Sequence, residues 1–169
     1  MKSLHILKRA FVALALFAAV CCAHAEEHYT EGFADIKWAT SPEETKGAML
    51  ARAGVTLLGE QSTPNFLVFT GGSYAGESVT RWEFTFDANR LWKASALLQK
   101  VNIESQYTKL QELFSHKYGH EGHREKGTRI HRATYWLNRN LWVDIDQQGV
   151  LAAAQNPSIL RESSSAKGL

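Results

Sequence analysis

The spacing of hydrophobic residues changes several times along this chain, and each change marks an element. Residues 26–34 make a polar lead-in, after which Ile36 and Trp38 alternate as in a short strand. Ser41-Pro42-Glu43-Glu44 then predicts a helix start. The serine can cap, the proline suits the first helical position, and Glu44, three residues after Ser41, completes a capping box. Acidic side chains in that turn also favour the positive end of the helix dipole. Ala48, Met49 and Ala53 give a modest apolar face and Gly54 a stop, which places the helix over about 42–53.

From 55 to 99 the period becomes two. Phe66, Val68 and Thr70 alternate with Leu67 and Phe69, predicting a strand buried on both faces. Gly71-Gly72-Ser73-Tyr74-Ala75-Gly76 reads as a turn. A long strand follows, with Thr80, Trp82, Phe84 and Phe86 on its apolar side. After Asp87-Ala88-Asn89 the chain returns with Trp92, Ala94, Ala96 and Leu98 on one side, an antiparallel meander.

The helical period reappears at 103–118, where Ile103, Tyr107, Leu110, Phe114 and Tyr118 fall at spacings of 4, 3, 4 and 4. Asn102 suits the N-cap and Gly119 the position after the helix. A polar loop is expected at 120–127, then strands at 128–137, 141–147 and 150–154. The polar stretch 156–169 has little to bury and is expected to be a disordered tail. Together these elements predict an α+β domain in the order β-α-β-β-β-α-β-β-β, with two helices packed on one face of an antiparallel sheet.

The amino terminus has a different pattern. Lys2, Lys8 and Arg9 precede an uncharged apolar run from Ala10 to Val20, and Ala23-His24-Ala25 supplies small residues before polar Glu26-Glu27-His28. This is the order of a signal peptide cleaved after Ala25, and the run is shorter than the roughly 20 apolar residues of a membrane span. Val20 before Cys21, and Cys21 before Cys22, fit poorly to a lipoprotein box, so a soluble periplasmic or extracellular product is expected.

Removing 1–25 changes the bulk picture. Of 19 basic and 17 acidic residues the leader holds three basic ones, leaving 16 against 17. Without a clustered positive face, no electrostatic case remains for nucleic acid or an anionic membrane surface. Both cysteines leave too, which removes disulfides, thiol nucleophiles and thiolate metal ligands. A single domain of about 130 residues, spanning 26–155, buries roughly two-thirds of its unfolded surface without a covalent staple. It is expected to be a monomer.

Two segments carry a resemblance. Phe33-x-x-Ile36-x-Trp38-x-Thr40-Ser41-Pro42-Glu43-Glu44-x-Lys46 resembles the opening of uncharacterised small exported bacterial proteins in which a strand leads into a (T/S)-P-E-E-x-K helix. Tyr107-x-x-Leu110-x-x-Leu113-x-x-x-Lys117-Tyr118-Gly119 resembles their second helix, with its K-Y-G end. The motifs cover about a fifth of the chain beyond Ala25 and consist mainly of capping and packing signals. Where these proteins usually carry glycine, this chain has Ala39. The layout is also similar to domains of the β-lactamase-inhibitor-protein-like group, several of which bind other proteins; the similarity implies a fold, and function has to come from a site.

Candidate chemistry is sparse. His116, His120 and His123 lie within eight residues and His131 follows, so an imidazole site for zinc, copper or nickel is one reading. Gly119 interrupts the helix between the first two, and Lys117, Arg124, Lys126, Arg129 and Arg132 surround them, which favours a hydrated basic loop. Asp144 and Asp146 alternate on a strand with Trp142, as paired acids or as a binding surface, opposite the core set Leu141, Val143 and Ile145. The Gly71–Gly76 segment lacks the final glycine and following helix of a nucleophile elbow, and it lacks the Lys-Ser/Thr ending of a phosphate loop. Trp82 and Trp92 suit the core; Trp38 and Trp142 are open to a ligand role. No cofactor is expected. These readings point to an exported binding or accessory protein whose partner is an envelope protein, and no catalytic motif points to an enzyme. A metal-binding protein and a small secreted hydrolase are the alternatives.

Overall fold

The computed structural model describes residues 29–121, 123–126 and 132–166. The leader and its cleavage point after Ala25, His131, and the start of the strand expected at 128–137 lie outside these residues. The fold is α+β, with helices packed against a large antiparallel sheet.

The chain opens with a hairpin where one strand was expected: β1 (Gly32–Phe33) pairs with β2 (Ile36–Lys37). Its turn is Ala34-Asp35, with φ of 50° and 62°, a left-handed pair usually signalled by Asn-Gly. A Cβ on Gly32 would lie 2.0 Å from the Ile36 carbonyl oxygen, so this close pairing requires glycine. Helix α1 (Pro42–Leu50) begins as predicted. The Ser41 hydroxyl accepts from the Glu44 amide, and the Glu44 carboxylate accepts from the Ser41 amide at 3.0 Å. The Ser41 hydroxyl, bonded to Glu44 Oε2 at 2.7 Å, and the Ser41 amide hold the Glu44 carboxyl below its ordinary pKa. Met49 buries the helix against the sheet, while Ala48 and Ala53 stay exposed.

Then come β3 (Thr56–Leu57), β4 (Phe66–Thr70), β5 (Ser73–Tyr74), β6 (Glu77–Asp87), β7 (Arg90–Leu98), α2 (Ile103–Tyr118), β8 (His123–Lys126), β9 (Arg132–Trp136), β10 (Leu141–Ile145), β11 (Val150–Gln155) and α3 (Ser158–Ala166). The sheet runs β3-β4-β6-β7-β11-β10-β9-β8, and β5 forms a side hairpin on β6. Two meanders therefore meet at β7 and β11. Helix α2 links them, carrying the chain from the middle of the sheet to its far edge.

Register decides which residues face the helices. Phe69, Trp82, Ala96, Ala152, Val143 and Thr134 are successive partners across the sheet, so they share one face. The central strands present alanines there (Ala94, Ala96, Ala152, Ala154), and large rings flank them: Phe69, Trp82 and Phe84 on one side and, on the other, Trp136, which Phe114 of α2 meets edge-on at 5.4 Å. The alanines leave room above β11, and β1 packs there. Phe33 and Ile36 of the hairpin complete the core.

Two bulges alter the expected alternation. Val79 pairs with Leu98 and Arg81 with Leu97, leaving Thr80 as an extra residue; Val79 faces the core and Thr80 is exposed. On β7 the extra residue is Trp92, so Leu91 is fully buried and Trp92 only half so. A two-residue period cannot reveal one inserted residue.

Two further expectations are corrected. The polar loop at 120–127 contains β8, which pairs His123 with Tyr135 and Lys126 with Arg132 and forms a charged sheet edge. The tail begins with a helix. Asn156 Oδ1 accepts from the Ser158 amide at 3.2 Å, and Pro157 stands directly before α3. Arg90 donates to the Ile159 carbonyl at 2.8 Å and pairs with Glu162 at 2.7 Å. Ile159 is 4 % exposed and, with Val68 and Ala153, lies outside the main core, in a smaller layer on the reverse of the sheet. A single apolar anchor and one arginine order this segment, which its composition does not announce.

Among the described residues, no helix is long and apolar enough to cross a membrane.

Candidate functional site

The structure separates the histidines. His116 is exposed on the last turn of α2, His120 follows Gly119, and His123 opens β8. His123 Nε2 lies 3.2 Å from Glu125 Oε1, and its ring is tilted against Tyr135 at 6.0 Å. Among the described residues no three His, Cys, Asp or Glu side chains converge as metal ligands.

The set Trp142, Asp144 and Asp146 also divides. Trp142 and Asp144 lie on the reverse face of β10, with the Lys93 ammonium over the indole at 5.9 Å. Asp144 is half-buried, and its charge is one cause of the elevated pKa of Tyr135, behind burial and the Glu125 carboxylate. Asp146 is used in the next turn: its Oδ1 accepts from the amides of Gln148 at 2.7 Å and Gly149 at 3.1 Å. A carboxylate bonded this way shapes backbone and does not offer a paired acid. Trp38 donates its indole N–H to the Thr30 carbonyl at 2.6 Å, so it braces the N-terminal segment.

The concave site lies elsewhere. A cleft of about 730 Å³ opens between the β1–β2 hairpin, the β5–β6 turn and the C-terminal half of α2. Its size is within the range of ligand pockets. Phe33, Phe114 and Leu141 line its depths, each nearly inaccessible, and Leu113, 43 % exposed, stands on the rim. Tyr74 and Tyr118 form the walls. Tyr74 stacks on Phe33 at 5.1 Å, and Tyr118 meets Phe114 edge-on at 6.1 Å.

Three segments distant in sequence supply these groups. Tyr74 is placed by the β5–β6 hairpin, whose Ala75-Gly76 turn has φ of 52° and 79°. Leu113 and Lys117, one turn apart on α2, lie beside Phe114 and Tyr118 of its apolar stripe. Arg52 follows α1; its guanidinium donates to the Ala34 carbonyl and lies over the Trp82 ring at 5.8 Å, pinning the β1–β2 turn. Burial holds the Tyr74 phenol well above its ordinary pKa, and the neighbouring Tyr118 phenol and Asp35 carboxylate add to the rise. The hydroxyl is therefore a neutral donor at physiological pH. Glu31, Asp35, Lys37 and Lys117 give the cleft a mixed charge.

The sequence held one signal for this site. Leu113 beside Phe114 widens the apolar stripe of the second helix beyond what its core contact needs. The contributions of Phe33 and Tyr74 depend on two tight hairpins and could not be read from spacing.

Comparison with known protein families, characterised proteins and solved structures finds no match for this chain.

Proposed function

We propose that this is an exported, soluble binding or accessory protein that captures a segment of an envelope protein in the cleft between the β1–β2 hairpin and α2. The observation that carries the reading is the cleft itself. It has an aromatic base, a partly exposed leucine on the rim and tyrosine hydroxyls on its walls, and such composition is typical of binding sites and of interface hot spots. The reading draws on the secretory pattern of residues 1–25 for the compartment. The dispersal of His116, His120 and His123 and the engagement of Asp146 give neither alternative, metal site or hydrolase, a comparable observation.

The test is site-specific photocrosslinking in the exporting cell. A photoreactive residue at Leu113 is expected to give one discrete adduct with an envelope protein, and the same group at exposed Val101, outside the cleft, to give none. Equal labelling from both positions, or none from Leu113, would overturn the proposal. Sequencing the amino terminus of the exported protein checks the compartment; it is expected to begin at Glu26.

A further inference from the structure

We propose that Glu77, which stands outside the cleft lining, is the latch of the cleft: its carboxylate clamps the tip of the β5–β6 hairpin to α2 and so fixes the gap between the Tyr74 wall and the helix wall. This rests on the reading of the cleft as the binding site and adds the device that holds the site in shape.

The clamp has two points. Glu77 Oε1 accepts from the Lys109 ammonium at 2.6 Å, and Oε2 accepts from Gln106 Nε2 at 3.2 Å. Lys109, Leu113 and Lys117 follow one another at spacings of four along α2, so the clamped lysine shares a face with two helix residues that line the cleft. On the hairpin, Glu77 is the register partner of Tyr74, and directly opposed residues of an antiparallel pair present their side chains on the same face. Holding the carboxylate therefore holds the ring of the opposite wall.

Backbone bonds fix the base of the hairpin but not its tip. The Gly71 amide donates to the Val79 carbonyl at 3.2 Å, the Val79 amide to the Gly72 carbonyl at 3.1 Å, and the Gln99 amide to the Ser78 carbonyl at 2.8 Å. The tip, Tyr74 to Glu77, lies beyond these bonds, and β5 joins the sheet only through β6. Side chains secure it from two directions. Tyr74 packs on Phe33 and edge-on to Trp82 at 5.9 Å, and Glu77 reaches α2.

The clamp is also one that can open. Half of the Lys109 side chain and a quarter of the Glu77 side chain are exposed, so water takes over their charges on release. Gln106 Nε2 donates to the Gln99 carbonyl at 3.0 Å as well and keeps that partner. Release leaves no buried charge unpaired, the outcome that makes breaking an interior ion pair so costly. In the closed state the Lys109 and Gln106 bonds hold the Glu77 carboxyl below the ordinary carboxylate range, so the latch is charged at neutral pH.

The experiment is nuclear magnetic resonance of the purified protein, reading the cross-peaks between the Tyr74 and Phe33 rings and the hydrogen exchange of 73–78. Glu77→Gln is expected to weaken the cross-peaks and to speed that exchange about fivefold, the size of a charge-assisted bond discounted for exposure, while β7 amides keep their protection. Glu77→Lys/Lys109→Glu rebuilds the ion pair with its signs exchanged and is expected to restore both readouts. Unchanged cross-peaks in Glu77→Gln, or no recovery in the exchanged pair, would overturn the proposal. Such a failure with the Leu113 adduct intact would leave the captured-segment reading standing on a cleft held by other contacts. Loss and recovery of the cross-peaks without any adduct would uphold the latch and remove the envelope segment as the occupant of the cleft.

Discussion

Tyr74 lies on Phe33 with ring centroids 5.1 Å apart and planes inclined by 20°. The contact joins two hairpins that share no hydrogen-bonded edge, β1–β2 and β5–β6, and makes one wall of the cleft from both. Neither ring would be held there by its own strand alone, since β1 and β5 are two residues long.

Alkaline pH should expose the burial of Tyr74. Its folded pKa is raised, so above about pH 10, where an ordinary phenol ionises, the unfolded chain loses a proton that the folded chain keeps. Stability therefore falls as pH rises through that region. Urea midpoints measured across it are expected to decline less steeply in Tyr74→Phe than in the parent; equal slopes would refute the assignment.

Ala39 offers a stabilising change. Its φ is 64°, a region where a Cβ costs energy and glycine does not. Its amide also donates to the Leu91 carbonyl at 2.9 Å, tying the residue to β7. Ala39→Gly is expected to raise stability by about 0.5 kcal/mol after the larger unfolded-state entropy of glycine is counted. A thermal melt showing a lower midpoint would contradict this.

The buried group Tyr107–Thr134–Gln111 should behave as a unit. Tyr107 Oη and Gln111 Nε2 each lie 2.7 Å from Thr134 Oγ1, and Thr134 is fully buried beneath α2. Thr134→Val leaves both partners unpaired and is expected to cost about 1–3 kcal/mol, whereas adding Tyr107→Phe should restore part of it. Strictly additive losses in denaturant unfolding would show that the three side chains act separately.

Helix α3 should depend on Arg90. Arg90→Ala removes its bonds to the Ile159 carbonyl and to Glu162, and a loss of about 1 kcal/mol is expected because the ion pair is partly exposed. Hydrogen exchange should quicken in 158–166, while amides of α2 stay protected. Uniform acceleration would mean that α3 is not a separable layer.

How far the sequence was legible varies by element. Both long helices were readable because their signals are local: Ser41, Pro42 and Glu44 act within one turn, and Asn102 and Gly119 bracket a complete apolar stripe. The long strands were readable from alternation. Thr80 and Trp92 were assigned to the core face because a bulge adds one residue without changing composition. β8 was missed because His-Arg-Glu-Lys carries no apolar alternation, only an edge to pair with. The histidine and carboxylate candidates rested on proximity in sequence, and the geometry of the described residues does not gather them.

The sequence by itself determined where the helices at Pro42 and Ile103 begin, the α+β class and the apolar face of most strands, since these follow from interactions within a few residues, although the first helix ends at Leu50 and not at the expected 53. Tertiary structure decided the joining of β7 to β11, the docking of α3 and the cleft. These depend on contacts between segments dozens of residues apart: Phe33 with Tyr74, Arg90 with Ile159, Tyr107 with Thr134. Periodicity records which side of an element is apolar but does not say which other element will cover it.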